Sequence, residues 1–160
     1  MHKNPFNIKH SKTFEYISKK NILLLFLVSL SILTYGQNIQ PEKKHPIDIK
    51  LEKCHSIDSN QTTYGMMRCE AIAEEDWDKE MNKYYKLLME TLGTDEKKKL
   101  KEAQISWLNY RDKEKEFSGT MHYNMEGTMW RVAAASRSCE IIKQRALELQ
   151  GYYDTLTFEK

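Results

Sequence analysis

Apolar residues return at intervals of three and four along three stretches of the chain, and each stretch predicts a helix. From about residue 67 to residue 92 the repeating positions are Trp77, Met81, Tyr84, Tyr85, Leu88 and Leu92, with charged residues on the other faces. Gly93 is expected to stop this helix in a left-handed conformation. Thr94-Asp95 then offers an N-cap for a second helix with Leu100, Ala103, Trp107 and Tyr110 on its core side, reaching about Phe117. So short a connection predicts antiparallel neighbours. Residues 118–127 hold two glycines and no helical period, which predicts a loop. Thr128 is expected to cap a third helix that turns Met129, Val132, Ala135, Ile141, Ile142, Ala146 and Leu149 inward and ends at Gly151, leaving 152–160 as a tail. No β-type alternation and no fixed-period repeat competes with this reading. The expected fold is all-α: a small antiparallel three-helix bundle spanning 54–151. Its up-down-up order would bring Cys69, Arg111 and Cys139 toward one pole.

Ahead of the helices the pattern changes. Lys19 and Lys20 precede an apolar run over residues 22–33, followed by Thr34-Tyr35-Gly36 and Gln37. That order of basic, apolar and small residues describes a secretory signal peptide over 1–36, and the run falls short of the ~20 residues a membrane-spanning helix needs. The mature protein is expected to begin near Gln37, outside the cytoplasm, either periplasmic or secreted, with no stable membrane span; an uncleaved anchor is the alternative. Residues 37–53, with Pro41 and Pro46 among Lys, Glu and Gln, read as an extended lead-in.

Export alters the charge picture. The first 36 residues carry Lys3, Lys9, Lys12, Lys19 and Lys20 against Glu15 alone, so their loss takes the formal charge from +2 to −2. Nucleic-acid binding, which needs a clustered excess of Lys and Arg, is thereby excluded. Cys54, Cys69 and Cys139 all lie in the exported part, where disulfides persist. Their odd number leaves one thiol over. Cys54 and Cys69 are the nearest pair, but either could instead reach Cys139, and the spacing does not choose. No CxxC or HxxxH spacing supports a metal, and no cofactor motif is present.

Catalysis finds little support either. There is no GxSxG, HExxH or P-loop, and His45, His55 and His122 fall on expected loops. The acidic run Glu74, Glu75, Asp76, Asp78 and Glu80 reads as a solvated helix face, since neighbouring charges on a helix point apart. A non-catalytic binding protein fits better than an enzyme. The residues best suited to contact are His122, Tyr123 and Asn124, within a loop also rich in methionine.

One string carries more than periodicity asks for: Gln104-x-x-Trp107-x-x-Tyr110-Arg111-Asp112. On a helix Gln104, Trp107 and Arg111 share a face, which suggests that Trp107 anchors the core while Arg111 ties a helix end to a neighbour. Together with Met67-x-Cys69, Asn82-x-x-Tyr85, Gly127-Thr128, Cys139 and Arg145-x-x-x-Leu149, the string resembles the lysozyme inhibitor LprI-like N-terminal domain family from about Cys54 to Leu149. The resemblance implies an exported, cysteine-stabilised helical domain, with lysozyme or another extracytoplasmic protein as partner. Members usually carry a fourth cysteine where this chain has Lys115. The implied arrangement is a Cys54–Cys69 disulfide with Cys139 as the free thiol, although re-pairing also fits the loss. Two functions follow as expectations: stoichiometric inhibition of lysozyme, to which a mildly acidic protein would be weakly steered, or an envelope protein-interaction or stability role.

Overall fold

The computed structural model describes residues 43–158. The expected signal peptide, its cleavage point after Gly36 and the first part of the lead-in lie outside them. Four helices and a short 3₁₀ turn occupy the described residues: α1 (Pro46–His55), the turn at Asp58–Asn60, α2 (Thr63–Thr91), α3 (Thr94–Tyr123) and α4 (Met129–Phe158). The class is all-α as expected, but the bundle has four helices rather than three.

The added helix, α1, replaces most of the expected extended lead-in. Pro46 opens it where a missing N–H costs nothing, and His45 in front lends its Nδ1 to the Ile47 N–H at 3.3 Å. Asp48 in the first turn with Lys53 and His55 in the last complement the helix dipole. Ten residues do not hold a helix in water by themselves. Here Ile47 and Leu51, one turn apart, pack against the core, and a Cys54–Cys69 disulfide with a Cα–Cα distance of 5.7 Å fastens the C-terminal end to α2. The 3₁₀ turn lies hard against α2 at Gly65. A Cβ there would sit 2.5 Å from Asn60 Cα and 2.6 Å from its carbonyl oxygen, so the approach requires glycine.

Thr62 caps α2 through its hydroxyl, which accepts from Gly65 N at 3.0 Å. At the far end Gly93 is extended (φ −73°, ψ 170°), not left-handed; it serves as N-cap of α3, its N–H donating to Glu96 Oε2 at 2.9 Å. The first long helix thus stops where expected, at Thr91, but two other expected ends are passed. α3 continues through Gly119 to Tyr123, with Ser118 buried and its hydroxyl donating to Glu114 O at 2.7 Å, leaving only 124–128 as a turn, with Gly127 at φ +97°. α4 continues through Gly151, since Tyr153 packs on Tyr84 with ring centroids 6.0 Å apart; residues 152–158 are therefore helix rather than tail. A single glycine costs a helix only about 1 kcal/mol, so neither glycine ends one by itself.

The core is the seam between α2 and α4. Ala73, Trp77, Met81 and Leu88 meet Cys139, Ile142, Ala146 and Leu149, and Trp77, Leu88 and Leu149 are wholly buried. The Thr63–Thr128 contact at one end and Tyr84–Tyr153 toward the other show that α2 and α4 run parallel. α3 returns antiparallel between them but lies against α4 and stands off α2 beyond the turn. Its buried residues are Gln104 and Ser118; Ala103 and Tyr110, expected on the core side, are exposed, while Leu100 and Trp107 pack at the edge.

Candidate functional site

At one pole the start of α2, the end of α3 and the start of α4 meet, held by the Thr63 and Thr128 hydroxyls at 3.1 Å. Large apolar side chains collect there in the open. Met121, Tyr123, Met125, Met129 and Trp130 fall within ten residues of chain and are all exposed, as are Tyr64 at the start of α2 and Phe117 near the end of α3. Met129, expected in the core, is 58% exposed. Isolated exposed apolar residues are ordinary, whereas five within ten residues of chain make this pole the candidate surface of the molecule.

His122 and Tyr123 lie on the last turn of α3, not in a loop, and Asn124 is its C-cap. The helix sends them to different tasks. His122 Nδ1 meets Ser118 O at 2.7 Å and its ring packs on Trp130 at 5.8 Å, which joins the two sides of the turn. Tyr123 is 62% exposed with the Arg131 guanidinium 6.0 Å from its ring. Asn124 closes the helix through its backbone N–H, donated to Thr120 O at 3.2 Å. The three expected contact residues thus stand at the helix end rather than in a loop, and the expectation left out Trp130, whose contact with His122 crosses the turn.

The Gln104 string plays a different part from the one expected. Gln104 is buried and bridges the bundle: its Oε1 accepts from Arg145 Nε at 3.0 Å, and its amide lies 3.7 Å from Met81 Sδ. Trp107 is half-buried, with Arg111 and Arg145 over its ring at 5.6 and 5.9 Å. Arg111 sits inside α3, not at its end, and pairs with adjacent Asp112 at 2.7 Å. Tyr110 points outward beside Arg137. Arg111 does face α2, sharing an open cavity with Glu74, Glu75, Asp78, Lys115 and Ile142.

The acidic run is partly drawn into ion pairs rather than left to solvent. Glu74 meets Lys115 at 2.6 Å and Asp76 meets Lys50 at 2.6 Å, each a link between helices. Glu70 is buried 3.6 Å from His55; burial pushes its carboxyl above the usual range, with His55 opposing and Glu140 reinforcing that shift. Cys139 is a free, buried thiol. Burial, helped by the charges of Glu70, Glu74 and Glu140, pushes it up to about 12, so it is inert as a nucleophile near neutral pH. The histidines expected on open loops are tied in as well: His45 stacks on Trp77 at 4.4 Å. Among the described residues no group of three or more His, Cys, Asp or Glu side chains is placed to hold a metal.

The family model described as "Lysozyme inhibitor LprI" matches residues 54–149, from the first disulfide cysteine to the last fully buried leucine of α4. The chain belongs to this LprI family. No curated protein matches it. Among solved structures, an uncharacterised protein from Burkholderia thailandensis is similar, with a TM-score of 0.67 and 27% identity over 71% of this chain. The match covers 56% of that protein, so the chain spans little more than half of its length. The LprI region takes in the disulfide, the Gln104–Arg145 bridge and the exposed pole, and leaves out all of α1 but its last two residues.

Proposed function

We propose that the protein is exported and acts as a stoichiometric, non-catalytic inhibitor of lysozyme, with the pole around Tyr123 as its contact surface. Membership of the LprI family supplies the partner class, and the Cys54–Cys69 disulfide together with the N-terminal basic and apolar order supports export. The observation that carries the contact is the exposed run Met121, Tyr123, Met125, Met129 and Trp130 at one end of the helical bundle. Aromatic and methionine side chains in such a position are the ones that dominate binding energy when desolvated. His122 and Asn124 border the run and add hydrogen-bonding groups to its rim.

Titrating bacterial-wall lysis by lysozyme with the purified protein tests this reading. Activity should fall to an end-point at a fixed molar ratio, and Tyr123→Ala, shown folded by circular dichroism, should weaken inhibition by about 30-fold, the equivalent of ~2 kcal/mol at a hot spot. Lysis unchanged by a micromolar excess of folded protein would sink the inhibitor reading. Inhibition indifferent to Tyr123→Ala would move the contact elsewhere.

A further inference from the structure

We propose that α1 is a strap latched by the Cys54–Cys69 disulfide, and that reduction of this bond by a dithiol releases the strap and uncovers the face of Trp77 beneath it. No residue of α1 is buried. Apart from the disulfide, α1 is held by the partly exposed pairs Asp48–Lys143 (2.8 Å) and Lys50–Asp76 (2.6 Å), by the half-exposed His55 near Glu70, and by the edges of Ile47 and Leu51. Ion pairs of that kind contribute little, and a ten-residue helix has no stability of its own. What α1 covers is the most deeply buried aromatic of the molecule: Trp77 is 0% exposed, with the His45 ring 4.4 Å from its own and Lys143 Nζ 5.6 Å from its centroid.

The fit beneath the strap is loose. A cavity of about 80 Å³ remains there, lined by Ile47, Leu51, Cys54, Cys69, Ile72 and Ala73 among others. Trp77 Nε1, fully buried, has no acceptor from side chain or backbone. A seam with unfilled space and an unsatisfied donor opens more readily than one packed to completion. The two sulfurs also differ in access, since Cys54 is partly exposed whereas Cys69 is 1% exposed. A dithiol therefore attacks at Cys54 Sγ; the S–S bond breaks, and Cys69 leaves as a thiolate that takes up the proton the attacking thiol lost. The second sulfur of the reagent then displaces Cys54, which is protonated in turn. Two electrons and two protons pass from the dithiol, now a disulfide, to the cysteine pair.

Hydrogen exchange of the full chain, followed by mass spectrometry before and after treatment with dithiothreitol, tests the latch. Amides of 47–55 should exchange about tenfold faster or more after reduction, while those of 141–149 in the α2–α4 seam keep their protection, and reoxidation should restore the first state. The Cys139→Ala variant should give the same result. Continued protection of 47–55 after reduction would show that non-covalent contacts suffice to hold α1. Loss of protection in 141–149 in step with 47–55 would make the disulfide a staple of the whole fold. A response abolished by Cys139→Ala would make it a re-pairing through that thiol. Each of these three overturns the proposal. In the Trp107→Phe/Trp130→Phe variant, where Trp77 is the remaining tryptophan, reduction should increase quenching by acrylamide; a quenching constant unmoved by reduction counts against the uncovering even if α1 loosens.

Discussion

The two long helices that flank α4 are held to it in opposite ways. α2 meets α4 through apolar side chains alone over much of its length, with Trp77, Leu88 and Leu149 excluded from water. α3 is located by polar bridges: Gln104 to Arg145, Glu114 to Arg137 at 2.7 Å, and Lys115 across to Glu74, with Trp107 half-buried beneath two guanidinium groups. Apolar burial is non-directional and grows with area, so the α2–α4 seam supplies most of the cohesion. Each polar bridge nets only about 1 kcal/mol but has a fixed geometry. α3 is thereby set in register without being strongly bound, and it is α3 that ends in the exposed pole. Binding elements are commonly drawn from the less stable parts of a fold.

The two tryptophans give the sharpest test of this contrast. Trp77→Ala should cost about 3–5 kcal/mol, the usual loss for a fully buried ring, and Trp107→Ala less than half as much, as judged by urea denaturation. Equal losses would show that α3 is as deeply cored as α2, and the comparison would fail.

Arg145→Met tests the bridge itself. It leaves the buried Gln104 Oε1 without its donor and Glu148, 2.6 Å from Arg145, without its cation, for an expected cost of about 1–3 kcal/mol. Adding Gln104→Leu should return part of that loss, because two apolar groups in place of a polar pair leave nothing unsatisfied. Strict additivity of the two changes in a double-mutant cycle would mean that the bridge does not couple the helices.

The seam was legible in the sequence because it obeys the plainest rule. Trp77, Met81 and Leu88 recur at helical spacing, and so do Ile142, Ala146 and Leu149. α3 was legible as a helix but not in its orientation. Its inward residues include Gln104 and Ser118, which an apolar period cannot flag, so Ala103 and Tyr110 took their place in the expected core. α1 escaped notice since its two apolar contacts, Ile47 and Leu51, are too few for a period and gain their effect only from tertiary packing. At the pole, His122, Tyr123 and Asn124 were singled out by residue type, but the helical extension through Gly119 and the His122–Trp130 contact depend on the neighbouring helix. Sequence alone gives no view of that neighbour.

Smaller in effect, and opposite in sign, is the change expected at Glu70 on the α2 side. Desolvation raises its folded carboxyl above the ordinary 4.5, so the folded state binds its proton more tightly than the unfolded state. Stability from this group is fully present below the unfolded value and is lost as pH rises through the folded one. Glu70→Gln should accordingly raise the melting temperature near neutral pH, and the gain should disappear below about pH 4.5. A glutamine variant less stable than wild type at neutral pH would mean that the His55 pairing outweighs desolvation.

The smallest effect belongs to Lys115, which stands where the family resemblance expects a cysteine. Its ammonium meets Glu74 at 2.6 Å, with about a quarter of each side chain exposed, so the pair joins α3 to α2. Partly screened pairs of this kind are worth up to about 1 kcal/mol. Lys115→Ala should therefore lower stability slightly at low ionic strength, and the difference should shrink near 1 M salt, where the screening length falls to about 3 Å. Because Glu74 is also one of the charges that raise the Cys139 thiol, losing its partner can only keep that thiol protonated, and alkylation of Cys139 in the folded protein should stay absent. A loss from Lys115→Ala as large as that from Arg145→Met, and insensitive to salt, would place the anchorage of α3 in its contact with α2 rather than in the buried bridge to α4.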